Sequence, residues 1–281
     1  MAALLASRFE NLEELKKEIN LFYTQDSSNF ESDSTIHHKV VMLQCAGGGG
    51  VVSVLESGIT QKEVAAVKNA DLYDKLKFGI SSPYSVANRE SLQQVFLLAR
   101  RRSNLFGEKD FAFYDLALAH TQNISTPELA YLTARDSSEK GYINSFNHIT
   151  AQAFITTLYS RKLADFVADL HERYAMPELL TGEFTEDQLS HPDDNPVDNY
   201  VDMINNEWGQ QLGLDLKKKY SINPATEWTP ELLANYLNDL QEFYSWSFQV
   251  AFKPFRPDQE IVIRFSQKIM DVQSRKYLYE R

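Results

Sequence analysis

The stretch NPVDNYVDMINNEWGQQLG, residues 195–213, decides how this chain is read. Val197, Val201, Ile204, Trp208 and Leu212 recur every three or four residues, the spacing of one apolar stripe on an α-helix. Asn195 is a natural N-cap, Pro196 suits the first turn, and Asp198 and Asp202 complement the positive end of the helix dipole. Asp198, Asp202, Asn205, Asn206 and Gly209 cover much of the remaining surface. Two adjacent asparagines and a glycine in mid-helix each cost several tenths to about 1 kcal/mol relative to alanine. A face that only meets water has no need of that penalty. Amides and carboxylates converging on a buried polar site would explain it.

Helix signals continue outward in both directions. Thr60-Gln-Lys-Glu63 and Ser125-Thr-Pro-Glu128 read as capping boxes, and Thr229-Pro230 opens a helix carrying Leu232, Leu233, Tyr236, Leu237, Leu240, Phe243 and Tyr244 on one face. Residues 91–102 and 111–120 have the same periodicity, with His120 at a helix C-terminus, where a cation suits the dipole. Strand signals are confined to two β-branched runs, Lys39-Val-Val-Met-Leu43 and Glu260-Ile-Val-Ile-Arg-Phe265. The expected fold is therefore mainly α, a multi-helix bundle with at most one small strand pair. The polar segment Asp136-Ser-Ser-Glu-Lys-Gly141 marks a seam between an N-terminal helical region, 1–140, and a C-terminal one, 141–281, that carries the candidate site. The two form either separate packing units or one compact unit.

Composition excludes several functions. The chain has 281 residues, 43% of them hydrophobic, and a formal net charge of −11. Without a Lys/Arg-rich stripe it is not expected to grip nucleic acid, whose affinity rests on cations meeting phosphates. Cys45 stands alone, which excludes an intramolecular disulfide and a cysteine-based zinc cluster. No transmembrane segment is expected, and the charged amphipathic start argues against a cleaved signal peptide. The expected location is cytoplasmic, or exported by a route that needs no cleaved leader. Ten acids and no Lys or Arg lie in residues 174–216, leaving 29 acids against 28 bases elsewhere. Such a run reads as a solvated surface, with a cation site as the alternative.

Gly47–Gly50 follow an apolar run but lack the Lys-Ser/Thr of a phosphate loop and the third glycine of a dinucleotide loop. A patatin-like lipase pattern, with Ser81 as nucleophile, fails because Pro83 stands where the elbow needs glycine and no Asp-Gly dipeptide occurs. A close-packed or flexible turn is the better account of the glycines.

Two further segments carry chemistry. Asn147-His148 lies in a mixed apolar helix, and His171-Glu172 lies near the end of a helix whose apolar stripe is Leu163, Phe166, Val167, Leu170 and Tyr174. His171 borders that stripe and is expected to be partly buried, whereas Glu172 points toward a surface or cleft wall. The ordered set Asn-His, His-Glu and Asp-x-x-Asn-Asn-x-x-Gly resembles a helical domain of bacterial wall-associated and toxin-like proteins, over about a quarter of the chain. The matching positions are His148, His171, Glu172, Asp202, Asn205, Asn206 and Gly209; Ile149, and Met203-Ile204 in place of Leu-His, depart from the pattern. The family's own activity is unsettled, so the resemblance implies a common site rather than a named reaction.

Two readings follow. In the first the chain is a toxin- or effector-like hydrolase. His148, His171, Glu172 and Asp202 are then catalytic, Asn147, Asn205, Asn206 and Gly209 bind or orient substrate, and Asp198 with Asp202 holds a divalent cation. In the second it is a non-enzymatic interaction or assembly protein whose buried polar network fixes helix register. Aromatic clusters such as Phe243-Tyr-Ser-Trp-Ser-Phe248 would then serve a protein partner or an oligomer.

Overall fold

The computed structural model describes residues 3–25, 39–45, 50–56, 58–67, 72–176, 186 and 196–274. Its helices of ten residues or more are α1 (Leu72–Ser81), α2 (Arg89–Ala99), α3 (Phe113–Gln122), α4 (Tyr142–Leu158), α5 (Arg161–Ala175), α6 (Val197–Lys219), α7 (Pro230–Phe248) and α8 (Glu260–Gln273). The mainly α expectation holds. In place of a strand pair there is a three-stranded antiparallel sheet in the order β1 (Ile19–Gln25), β2 (Lys39–Cys45), β3 (Val52–Glu56). Leu21 faces Leu43 across the first pair, and Val41 faces Leu55 across the second. The expected second strand at residues 260–265 is instead the start of α8. Val262, Phe265, Ile269 and Val272 of α8 are buried at helical spacing, and that period outweighs the β-branched run. Gly50 connects to β3 rather than to a helix, which agrees with a turn and not with an anion-cradling helix start; Gly47 to Gly49 lie outside the described residues.

Local signals at the helix starts are mostly realised. Thr229 caps α7 by accepting from Leu232 N–H at 3.2 Å, and Thr60 and Glu63 exchange the two bonds of a capping box. At the second expected box the N-cap is Thr126 rather than Ser125, and its Oγ1 accepts from Ala251 N–H at 2.9 Å instead of capping the helix. The Asn195 cap lies outside the described residues.

One core crosses the expected seam. It joins Val95, Leu98, Phe113 and Leu116 to Phe146, Phe154, Leu237 and Phe265, so regions 1–140 and 141–281 share their interior. At the seam itself Asp136 is fully buried and accepts from Ser7 Oγ at 2.6 Å and Thr133 N–H at 2.8 Å, which ties the N-terminal segment down. A second, smaller core packs Leu4, Leu15, Ile19 and Leu55 against Tyr200, Val201 and Ile204 of α6. Helix α6 thus lies between two cores, and its residues 200–210 are buried nearly all round.

Contact between α4 and α6 sets this arrangement. A Cβ on Gly209 would stand 2.6 Å from the Ile149 carbonyl oxygen, and one on Gly213 would stand 2.6 Å from that of Ala153. The two helices run in the same direction, because the pairs Asn144–Asp202, His148–Asn206 and Gln152–Gln210 keep a constant offset of 58 residues. Gly209, expected to bind or orient substrate, is placed where it lets two backbones approach. Gly209→Ala and Gly213→Ala should each destabilise the fold by about 1–3 kcal/mol through overpacking, read as a lower urea midpoint.

His120 is not a solvated cation at a helix end. It is fully buried among Phe146, Tyr244 and Phe255, with ring centroids 5.0 to 6.0 Å away, and neither ring nitrogen has a hydrogen-bond partner among the described residues. Burial lowers its pKa to about 3. The unfolded chain therefore takes up a proton near pH 6.5 that the folded chain refuses. Its contribution to stability is complete above that pH and falls as the pH drops toward 3. His120→Leu should flatten the stability–pH profile in this window by up to about 1.4 kcal/mol per pH unit, measured by denaturant unfolding across pH.

Candidate functional site

Three helices bring the site together. Asn144 and His148 lie one turn apart on α4; Asp198, Asp202 and Asn206 lie one turn apart on α6; His171 and Glu172 come from the last turn of α5. Since α4 and α6 are held close at the two glycines of α6, these two rows face each other.

Asn144 Nδ2 donates to Asp198 Oδ1 at 3.1 Å and to both oxygens of Asp202 at 3.0 and 3.2 Å. His148 Nε2 stands 3.2 Å from Asp202 Oδ2, with the two side chains only 13% and 8% exposed. On its other side His148 Nδ1 is 2.9 Å from Asn206 Oδ1, and Asn206 Nδ2 donates to Glu172 Oε1 at 3.1 Å. With its amide oriented in this way, Asn206 accepts from the imidazole and donates to the carboxyl. His171 Nδ1 is 3.1 Å from Gln61 Oε1, which puts the ring proton on Nδ1 and leaves Nε2 as the lone pair. The His148 and His171 ring centroids are 6.1 Å apart.

Burial governs the protonation states. Glu172 is 2% exposed, and its pKa rises to about 8, chiefly through desolvation and secondarily through Asp202. Asp202 is raised well above the carboxylate range by burial and by Asp198, and Asp198 is itself raised by burial. His171 meets solvent at one edge, yet its packed surroundings, with His148 and Arg100, lower it to about 4. Near pH 7 Glu172 is therefore a carboxylic acid and His171 a neutral imidazole.

A single ligand atom from each of His148, His171 and Glu172 lies within 4.8 Å of the other two, a set able to hold a metal ion. Beside it a small cavity is lined by Ser53 of β3, Asp165, Asp169 and Glu172 of α5, and Asn206 and Glu207 of α6. Arg161 pairs with Glu207 at 2.9 Å and Arg173 with Asp169 at 2.7 Å, so much of the acidic charge here is compensated. Burial still raises Asp169 to about 7.

Several expectations change. Glu172 is buried and His171 is the open member, the reverse of the reading from the apolar stripe, because β3 and α6 cover the acidic face of α5. Asp202 and Glu207 likewise take part of the acidic run out of solvent. Asn205 does not join the site. It is fully buried facing the N-terminal segment, accepting from Leu4 N–H at 2.9 Å and donating to Leu4 C=O at 2.9 Å. Asn147 is half-buried and makes none of the site's hydrogen bonds described above. Sequence reasoning passed over Asn144, Gln61 and Ser53. Asn144 alone carried a readable signal, being one helical turn before His148.

No family model, curated protein or solved structure matches this chain. Among the described residues no helix is long and apolar enough to cross a membrane.

The two asparagines should separate cleanly. Asn205→Ala leaves the Leu4 N–H unpaired, while Leu4 C=O keeps Ser145 Oγ at 3.0 Å, and should cost about 1–3 kcal/mol of stability while preserving the His148 imidazole NMR shifts. Asn206→Ala should move those shifts instead, because it removes the acceptor for Nδ1.

Proposed function

We propose that this protein is a hydrolase whose reactive water sits between His148 and His171. The observation that carries this reading is the convergence of His148, His171 and Glu172 from separate helical segments, ligand atoms within 4.8 Å, at a site open on the His171 side. Hydrolysis of an ester, amide or phosphodiester needs one proton taken from water and one delivered to the leaving group. Neutral His171, with its lone pair on Nε2, suits the first task. The His148–Asp202 contact, 3.2 Å between Nε2 and Oδ2, suits the second, with Asn206 fixing the ring. Asp198 and Asn144 keep Asp202 in place. The resemblance to the bacterial helical domain supports the same constellation and, with it, a toxin- or effector-like setting.

A buried network that only fixes helix register is the second reading, favoured by the pairing of Asn205 with Leu4 and of Arg161 with Glu207. A panel of ester, amide and phosphodiester substrates decides between them. Under the hydrolase reading His171→Ala and Asp202→Asn lower kcat/KM about 100-fold or more, and His171→Ala keeps a near-native melting temperature. Turnover unaffected by both variants, or no turnover with variants that only destabilise, would favour the second.

A further inference from the structure

We infer that His148, His171 and Glu172 bind one divalent transition-metal ion of the zinc type. The inference rests on the hydrolase reading for its purpose only: the imidazoles then activate the same water through the ion rather than by accepting its proton. Its geometric basis is independent.

A metal-binding histidine is normally held by a hydrogen bond from its second ring N–H to an oxygen acceptor, which fixes the tautomer and turns the other nitrogen to the ion. Both imidazoles here have that support. His148 Nδ1 lies 2.9 Å from Asn206 Oδ1, and His171 Nδ1 lies 3.1 Å from Gln61 Oε1. The carboxyl is held in the same way, with Glu172 Oε1 accepting from Asn206 Nδ2 at 3.1 Å. One amide thus orients two of the three ligands, leaving the second oxygen of Glu172 and one nitrogen of each imidazole, that of His148 being the one beside Asp202 Oδ2.

The separations suit a small ion. Metal–nitrogen distances near 2.1 Å place tetrahedral ligand atoms about 3.4 Å apart. The three donor atoms lie within 4.8 Å of one another, so modest side-chain rotation closes the set. Asp202 Oδ2, 3.2 Å from His148 Nε2, stands at the separation expected of a neighbouring ligand or of a base toward bound water. Two imidazoles and one carboxylate select zinc, cobalt, nickel or manganese over calcium and magnesium, which take oxygen donors. The choice differs from a site at Asp198 and Asp202, whose carboxylates are bridged by the Asn144 amide.

The test uses the full chain stripped with a chelator, then titrated with Zn²⁺, Co²⁺, Ca²⁺ or Mg²⁺ while binding and melting temperature are followed. One Zn²⁺ per chain, a raised melting temperature, a visible Co²⁺ spectrum of nitrogen-containing low coordination, and no response to Ca²⁺ or Mg²⁺ are expected. His171→Ala, Glu172→Gln and Asn206→Ala should each weaken Zn²⁺ binding about 10- to 100-fold, with circular dichroism confirming the fold of each variant. No stoichiometric Zn²⁺ binding, or binding that survives His171→Ala and Glu172→Gln together, overturns the inference. Hydrolysis that persists in the stripped protein but is lost in His171→Ala overturns the ion and leaves the hydrolase reading standing. Zn²⁺ binding mapped to these residues without any turnover does the reverse.

Discussion

The close contact of α4 with α6 is the constraint on which the rest depends. Gly209 and Gly213 bring the α6 backbone against the carbonyl oxygens of Ile149 and Ala153, where no larger residue fits without displacement. Moving α6 away would separate Asn144 from Asp202 and His148 from Asn206, because these pairs lie on the same two helices in the same register. The mid-helix penalty of two glycines is offset by the packing and by the polar ladder beside it.

That ladder is costly unless complete. Helix α6 carries Asp202, Asn205, Asn206, Glu207 and Gln210 into a nearly waterless position between two cores. Unpaired, any of them would destabilise the fold by more than a hydrogen bond returns. Each has a partner: Asn144 and His148 for Asp202, Leu4 for Asn205, His148 and Glu172 for Asn206, Arg161 for Glu207, Gln152 for Gln210. Adjacent Asn205 and Asn206 point about 100° apart around the helix. One therefore anchors the N-terminal segment and the other organises the imidazole site.

Acidity and burial act against each other here. Residues 174–216 hold the acids that make the chain anionic, yet Asp202 and Glu207 are withdrawn from water and relieve the cost by raised pKa values or by an arginine. The outcome is a proton-rich centre in an acidic protein. Uncompensated carboxylates repel one another, whereas carboxylic acids beside the neutral His171 imidazole can be packed tightly.

What the sequence determined by itself is what nearest neighbours along a helix decide. The 3.6-residue period of residues 197–212, the Thr229 cap and the Thr60–Glu63 box specify helices without reference to anything distant. The unusual polarity of α6 already marked it as the site-bearing helix. Only the tertiary structure decided which polar residues meet. Asn205 and Asn206 are identical in type and adjacent, and nothing local assigns one to Leu4 and the other to His148. Glu172 is buried because β3 and α6 close over a face that the period of α5 marks as polar. Gly209 is a packing residue because Ile149 lies sixty positions earlier in the chain. Periodicity reports the direction of a side chain on its own helix; what stands opposite it depends on contacts between segments far apart in sequence.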